Sequence, residues 1–122
     1  DCINKIATLN SETIRVSDIC NKDEGIAVTG LPFNTDYSDA SLQKLISDMQ
    51  IWKKTRMIGS AAMASCYIAS GKAEMYKEKG IYLWDIIAGA AIVESAGGSA
   101  EIFNVRETYQ VDVVFSNAKI KD

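Results

Sequence analysis

At 122 residues the chain fits one domain with a respectable core, and 48% hydrophobic against 24% charged residues argues against disorder. A net charge of −3 without a basic cluster argues against nucleic acid or an anionic membrane as the main partner, and no apolar run approaches the ~20 residues of a membrane span. Histidine is absent, which removes Ser-His and Cys-His catalysis, while Cys2, Cys20 and Cys66 are odd in number and widely spaced, the pattern of free thiols in a reducing, cytoplasmic setting.

Taken in order, Ile3 to Thr8 and Thr13 to Val16 read as two short strands joined by a turn at Asn10-Ser11, one face exposed. Asp18 to Gly25 is a charged connection. Gly25-Ile26-Ala27-Val28-Thr29-Gly30 is a compact apolar run between glycines, which predicts a buried, parallel strand. Leu31-Pro32-Phe33-Asn34 ends it in a loop. Ser38 or Asp39 caps a helix running to about Lys53, with Leu42, Leu45, Ile46, Met49 and Trp52 on one stripe and Lys44 and Asp48 facing out. Thr55 to Ile58 is a short strand leading into Gly59-Ser60. The small apolar residues from Ser60 to Ser70 predict a tightly packed helix that Gly71 terminates. Ala73 to Lys79 reads as a strand and Gly80 to Leu83 as a loop.

Trp84 to Gly98 is the most sharply bounded stretch. Asp85 stands where an N-cap or first-turn carboxylate belongs, because the first helical N–H groups lack internal partners and the dipole favours negative charge there. Ile86, Ala90 and Val93 recur at helical spacing, Ile87, Ala91 and Ile92 widen the apolar face, and Gly97-Gly98 closes the helix. Gly89 costs roughly 1 kcal/mol relative to Ala inside a helix, so something packs very close to it. Glu94 falls on the exposed edge. Ser99 to Phe103 and Val111 to Phe115 are the last strands, around a polar loop from Asn104 to Gln110.

From Ile26 onward strands alternate with helices, which predicts an α/β fold: a three-layer αβα sandwich around a mostly parallel or mixed sheet. The opening hairpin falls outside the alternation. It divides the chain into residues 1–24, a hairpin and connection, and residues 25–122, an α/β lobe.

Trp84-Asp85-x-x-Ala88-Gly89, followed by an apolar run and Ala96-Gly97-Gly98, resembles the second signature of the inositol monophosphatase family of metal-dependent phosphatases. The likeness extends to Gly59-Ser60-Ala61-Ala62, to Glu78-x-Gly80-Ile81-x-x-Trp84-Asp85 and to Val113-Val114-Phe115-Ser116-Asn117. The resemblance implies the C-terminal lobe of a phosphomonoesterase whose active site lies between two lobes, with the hairpin a remnant of the preceding lobe's sheet. It implies Mg²⁺ as cofactor, because family members use bound Mg²⁺ to polarise the phosphate and activate a water. Asp85 matches a metal ligand. The remaining ligands belong to an Asp-Pro-x-Asp-Gly-Thr signature and a preceding acidic residue, neither present in these residues, so the fragment alone is expected to be inactive.

Glu78 matches a carboxylate that bonds substrate hydroxyls; on pattern alone it is a solvated charge beside Lys77 and Lys79. Gly59, Ser60 and Ala61 match a loop and helix start that approach the substrate, with the Ala61 N–H as donor; on pattern alone they are small residues in close packing. Tyr82 lies near the ring-binding surface or is a plain loop aromatic, and Trp84 and Trp52 read as core. The implied substrate is inositol monophosphate or a related sugar phosphate, with a nucleotide 3′-phosphate second. The implied partners are the chain's own N-terminal lobe and a second copy in a homodimer, with a final helix beyond Asp122. A different reading is a non-catalytic dimerisation or protein-interaction module of the same fold, in which the hairpin closes over the site and Asp85 serves as a cap.

Overall fold

The computed structural model describes residues 1–31 and 35–120. The loop expected at 31–34 lies almost wholly outside them, as does any helix after Asp122. The elements are β1 (Ala7–Leu9), β2 (Glu12–Ile14), β3 (Ile26–Thr29), α1 (Asp39–Gln50), β4 (Lys54–Met57), α2 (Ala61–Ala69), β5 (Met75–Tyr82), α3 (Leu83–Ser95), β6 (Ser99–Phe103) and β7 (Gln110–Ser116).

Five strands form one mixed sheet in the order β4-β3-β5-β7-β6. β3 runs parallel to β4 and β5, while β7 is antiparallel to β5 and β6. Val28, Tyr76, Val111, Val113 and Phe115 turn one face of the sheet toward α2 and α3, where Ile68, Ile86 and Val93 complete the core. Ala27, Thr55 and Met75 face Leu45, Met49 and Trp52 on the other side. The result is the expected three-layer α/β/α sandwich.

The two helical layers are unequal. α1 is capped by Ser38, whose side chain accepts from the Ser41 N–H, but it buries no residue. Ile46, expected on its apolar stripe, is 54% exposed, and Trp52 lies beyond the helix end, half-buried under the Lys22 ammonium rather than in the core. α2 and α3 are packed far more tightly. A Cβ on Gly89 would collide with the Ser65 side chain of α2, whose hydroxyl is turned back onto the Ala61 carbonyl at 2.9 Å. That is the close neighbour the glycine implied.

The hairpin β1–β2 forms a separate two-stranded sheet, shorter at its open end than expected and one residue longer on each strand at the turn. Residues Ile3 and Asn4 are bent into a turn by their amides donating to the Asp1 carboxylate, so pairing begins only at Ala7. Asn10 and Ser11 both take positive φ, 51° and 69°, the tight turn whose twist matches a hairpin. The hairpin leans on α2 and α3 around a largely apolar cleft of about 430 Å³. Asn117, fully buried, holds the connection: its side-chain amide donates to the Ser17 and Ile19 carbonyls, and its oxygen accepts from the Lys119 and Ile120 amides.

β5 departs furthest from expectation. The stretch from Gly80 to Tyr82, read as loop, continues the strand through a β-bulge and feeds directly into α3.

Gly89→Val places two methyl groups where Ser65 already sits. Overpacking of this kind costs about 1–3 kcal/mol, and chemical denaturation is expected to show a loss in that range; an unchanged midpoint would contradict the packing described.

Candidate functional site

The parallel strands β4, β3 and β5 end along one edge of the sheet, and in open α/β sheets that edge is where ligands bind. Each sequence-predicted residue lies there. Gly59, with φ of 74° and open space around it, follows β4; Ser60 is the N-cap of α2 and accepts from the Met63 N–H at 3.2 Å; Ala61 is the first, buried residue of that helix. Glu78 lies one residue past the last β3–β5 pair, Thr29 with Lys77. Asp85 is in the first turn of α3.

The two helices are parallel, because each returns from a strand of the same direction. They touch at Ser65 and Gly89, one turn beyond Ala61 and Asp85 respectively. The start of α2 and the Asp85 carboxylate are therefore level at one end of the pair. Glu78 belongs to the same group electrostatically, since the Asp85 charge acts on both Glu78 and its neighbour Tyr76.

Asp85 is not the N-cap. Tyr82 holds that position in extended geometry while still paired with Gln110, and the first free amide, Leu83, donates to the Tyr109 carbonyl at 2.9 Å. With the cap supplied by a neighbouring hairpin, the Asp85 side chain is exposed and has no hydrogen-bond partner among the described residues. It is a carboxylate held beside a positive helix end and left open to a ligand.

Glu78 is half-buried. It accepts from the Tyr76 hydroxyl at 2.6 Å and lies against Gly30, where any Cβ would run into its carboxylate. Burial raises its pKa above the ordinary carboxylate value, Tyr76 opposes that shift, and the Asp85 charge adds to it. Burial likewise raises the Tyr76 phenol, helped by the hydrogen bond and by both carboxylates, so Tyr76 stays a donor.

Trp84 corrects the expectation of a core residue: it is 62% exposed, stacked on Tyr82 at 4.7 Å and close to Tyr109. Helical rotation explains this. Ile86, Gly89, Ala90 and Val93 take the inward face, leaving position 84 outside.

Sequence reasoning missed three parts of the site. Gly30 was readable only as a strand boundary. Tyr76 fell inside the expected strand from Ala73 to Lys79 with no signal of its own. Asp112 interrupts the apolar run from Val111 to Phe115, a legible signal, and its buried carboxylate accepts from Gly80, Asn104 and Arg106. Burial pushes its pKa up, but the bonds from Asn104, Arg106 and Gly80, with the Arg106 charge, outweigh that and leave it lowered. No group of three or more acidic, cysteine or histidine residues able to hold a metal occurs among the described residues. As a hard-oxygen donor, Asp85 suits a cation only jointly with ligands from elsewhere.

The sequence matches the Inositol monophosphatase family over residues 2–118. It is 30% identical over 118 residues to the fructose-1,6-bisphosphatase/inositol-1-monophosphatase of Thermotoga maritima, across 95% of this chain and 44% of that protein. It is 34% identical over 107 residues to Nus factor SuhB of Pasteurella multocida, across 84% and 39%. The solved inositol monophosphatase from Anabaena superposes with a TM-score of 0.77 at 25% identity, over 92% of this chain and 46% of that one. The chain thus spans less than half the length of these relatives.

Because the folded pKa of Glu78 lies above its unfolded value, the native state holds the extra proton between the two, and stability falls as pH rises through that window. Glu78→Gln keeps an acceptor for Tyr76 and removes the charge. Its advantage in melting temperature over the wild type is expected to grow from about pH 4 toward neutrality. A gap independent of pH would contradict the burial described.

Proposed function

The chain belongs to the inositol monophosphatase family, and from that premise we propose that it is the substrate-recognition lobe of a Mg²⁺-dependent phosphomonoesterase acting on inositol monophosphate or a related sugar phosphate. One observation carries the reading. Asp85, free of any hydrogen bond among the described residues, stands level with the start of α2 and acts electrostatically on Glu78. A metal-directed carboxylate, a hydroxyl acceptor and a helix N-terminus are the groups that a phosphorylated polyol requires.

Asp85 would hold Mg²⁺ together with carboxylates of an N-terminal lobe. The ion, when bound, supplies Lewis-acid polarisation of the phosphate and a water activated near neutral pH. The residues of this chain do the rest. Glu78, backed by Tyr76 and seated against Gly30, accepts hydrogen bonds from ring hydroxyls. The Ala61 amide, a first-turn donor of α2 without a partner among the described residues, would face the same ligand, and Ser60 keeps that turn in place. Gly59 leaves room for close approach. In this reading residues 1–24 are the end of the preceding lobe's sheet, residues 25–122 are the C-terminal lobe, and the free cysteines support a cytoplasmic setting.

A second reading has support of its own. A relative carries the name Nus factor, and Tyr82, Trp84 and Tyr109 present an exposed aromatic face suited to a protein partner or a second copy in a homodimer. This interaction module would not need Asp85 to be open.

The test is Mg²⁺-dependent phosphate release from inositol monophosphate, with a nucleotide 3′-phosphate alongside, by the upstream-extended chain and by these 122 residues. Activity is expected only in the extended chain. Asp85→Asn in that chain is expected to lower kcat about 100-fold or more, the loss of a few kcal/mol of transition-state stabilisation. The fold should be unaffected, since the helix cap does not use Asp85. Near-normal turnover would remove Asp85 as a ligand, and inactivity of the extended wild type would favour the interaction module.

A further inference from the structure

Behind Glu78 lies a buried ionised group that the proposed function does not use. Asp112 is 4% exposed. Its Oδ1 accepts from the Gly80 amide at 3.0 Å and from Arg106 at 2.9 Å, and its Oδ2 accepts from Asn104 at 2.9 Å. Gln110 donates to the Gly80 carbonyl at 3.1 Å. Both peptide groups of a single glycine are thus held by side chains of the neighbouring strand.

That glycine is the pivot of the bulge in β5. Glu78 pairs with Val113 and Ile81 with Val111, so Lys79 and Gly80 together oppose Asp112. Gly80 takes φ of 70°, in the left-handed region that favours glycine. A bulge leaves peptide groups outside the ladder, and a buried N–H or carbonyl without a partner is costly. Asp112 and Gln110 supply those partners.

The bulge decides where the site residues point. In a regular strand, Glu78, Gly80 and Tyr82 would share one face. The extra residue reverses the parity after Gly80, so Glu78 and Ile81 share a face, Ile81 packs on the core and Tyr82 turns outward. α3 begins at Leu83 with no intervening loop, so the same bulge sets the rotation at which α3, with Asp85 in its first turn, departs from the strand.

We propose that Asp112 is a positioning residue: by holding the Gly80 amide it fixes the bulge that sets Glu78 against Asp85, and so the fit of the substrate's hydroxyls. Its substrate effect rests on the role of Glu78 proposed above; its hold on the bulge does not. Arg106 and Asn104 act on Asp112, each donating to its carboxylate.

The test uses the full-length chain that carries these residues. Asp112→Ala is expected to raise KM for inositol monophosphate about tenfold while kcat changes less than about threefold, the signature of lost ground-state positioning. Asp112→Asn keeps an acceptor for the Gly80 amide and should return KM to within about threefold of wild type. Hydrogen exchange of the peptide over residues 77–83 should quicken in Asp112→Ala and not in Asp112→Asn. If Asp112→Ala does not fold, Gln110→Ala removes the other hold on Gly80 and is expected to raise KM about threefold. Wild-type KM in a folded Asp112→Ala or Gln110→Ala protein, or equal KM for Asp112→Ala and Asp112→Asn, would overturn the proposal. A wild type without phosphatase activity would sink the enzyme reading alone; exchange unaffected by Asp112→Ala would then overturn the hold on the bulge.

Discussion

The close approach of α2 and α3 at Ser65 and Gly89 is the constraint from which the rest of the site follows. Two helices can lie this near only where one presents no side chain, and Ser65 fills the space that a Cβ on Gly89 would take. Its hydroxyl, out of reach of water, is satisfied by the Ala61 carbonyl one turn back. The contact fixes how far each helix has advanced when it meets the other. Since Ala61 and Asp85 each precede it by one turn, it also fixes the two helix starts at one level.

Helix packing alone does not determine where Glu78 sits relative to Asp85. That depends on a second, softer device, the bulge at Lys79 and Gly80, in which a strand with period two joins a helix with period 3.6. The first device is steric and apolar, the second polar. Their energetics differ accordingly: overfilling a tight contact acts on stability, while loosening a hydrogen-bonded bulge acts on aim. The carboxylates at the two ends of this segment are also unlike. Asp112 is buried with three donors and keeps its charge; Glu78 is half-buried with one and holds its proton more readily. Donor number against burial decides which is framework and which is free to meet a ligand.

What was legible in the sequence was what local chemistry controls. Glycine boundaries, capping serines and apolar periodicity placed β3, α1, α2 and α3, and Gly89 announced a close neighbour without naming it. The residues that the signature around Trp84-Asp85 singles out lie along one edge of the sheet. What was not legible depended on partners distant in sequence. Gly80 to Tyr82 reads as loop because a glycine interrupts it, and pairing with Val111 and Gln110 together with the side chains of Asp112 and Gln110, some thirty residues on, keeps it in the sheet. Trp84 was read as a core residue, whereas the rotation of α3 sends it outward. Asp85 could be cap or first-turn carboxylate on pattern alone, and the Tyr109 carbonyl that relieves it of capping belongs to another hairpin. The stripe on α1 shows the limit of periodicity: it marks the side that faces the sheet but not how deeply it is buried.

The relief of Asp85 from capping also bears on why the site is open. A carboxylate used as an N-cap is committed, its oxygens turned to backbone amides. Here the backbone of a neighbouring turn does that work, at the cost of holding Tyr109 at φ of 64°, outside the range most residues adopt. Asp85 lies two residues further along the helix than Leu83 and takes no part in that contact. A single carboxylate holds a divalent cation poorly, since such an ion takes six or more oxygens. In the reading proposed above, Asp85 serves a cation only together with ligands from outside these residues, and the chain spans less than half of each relative.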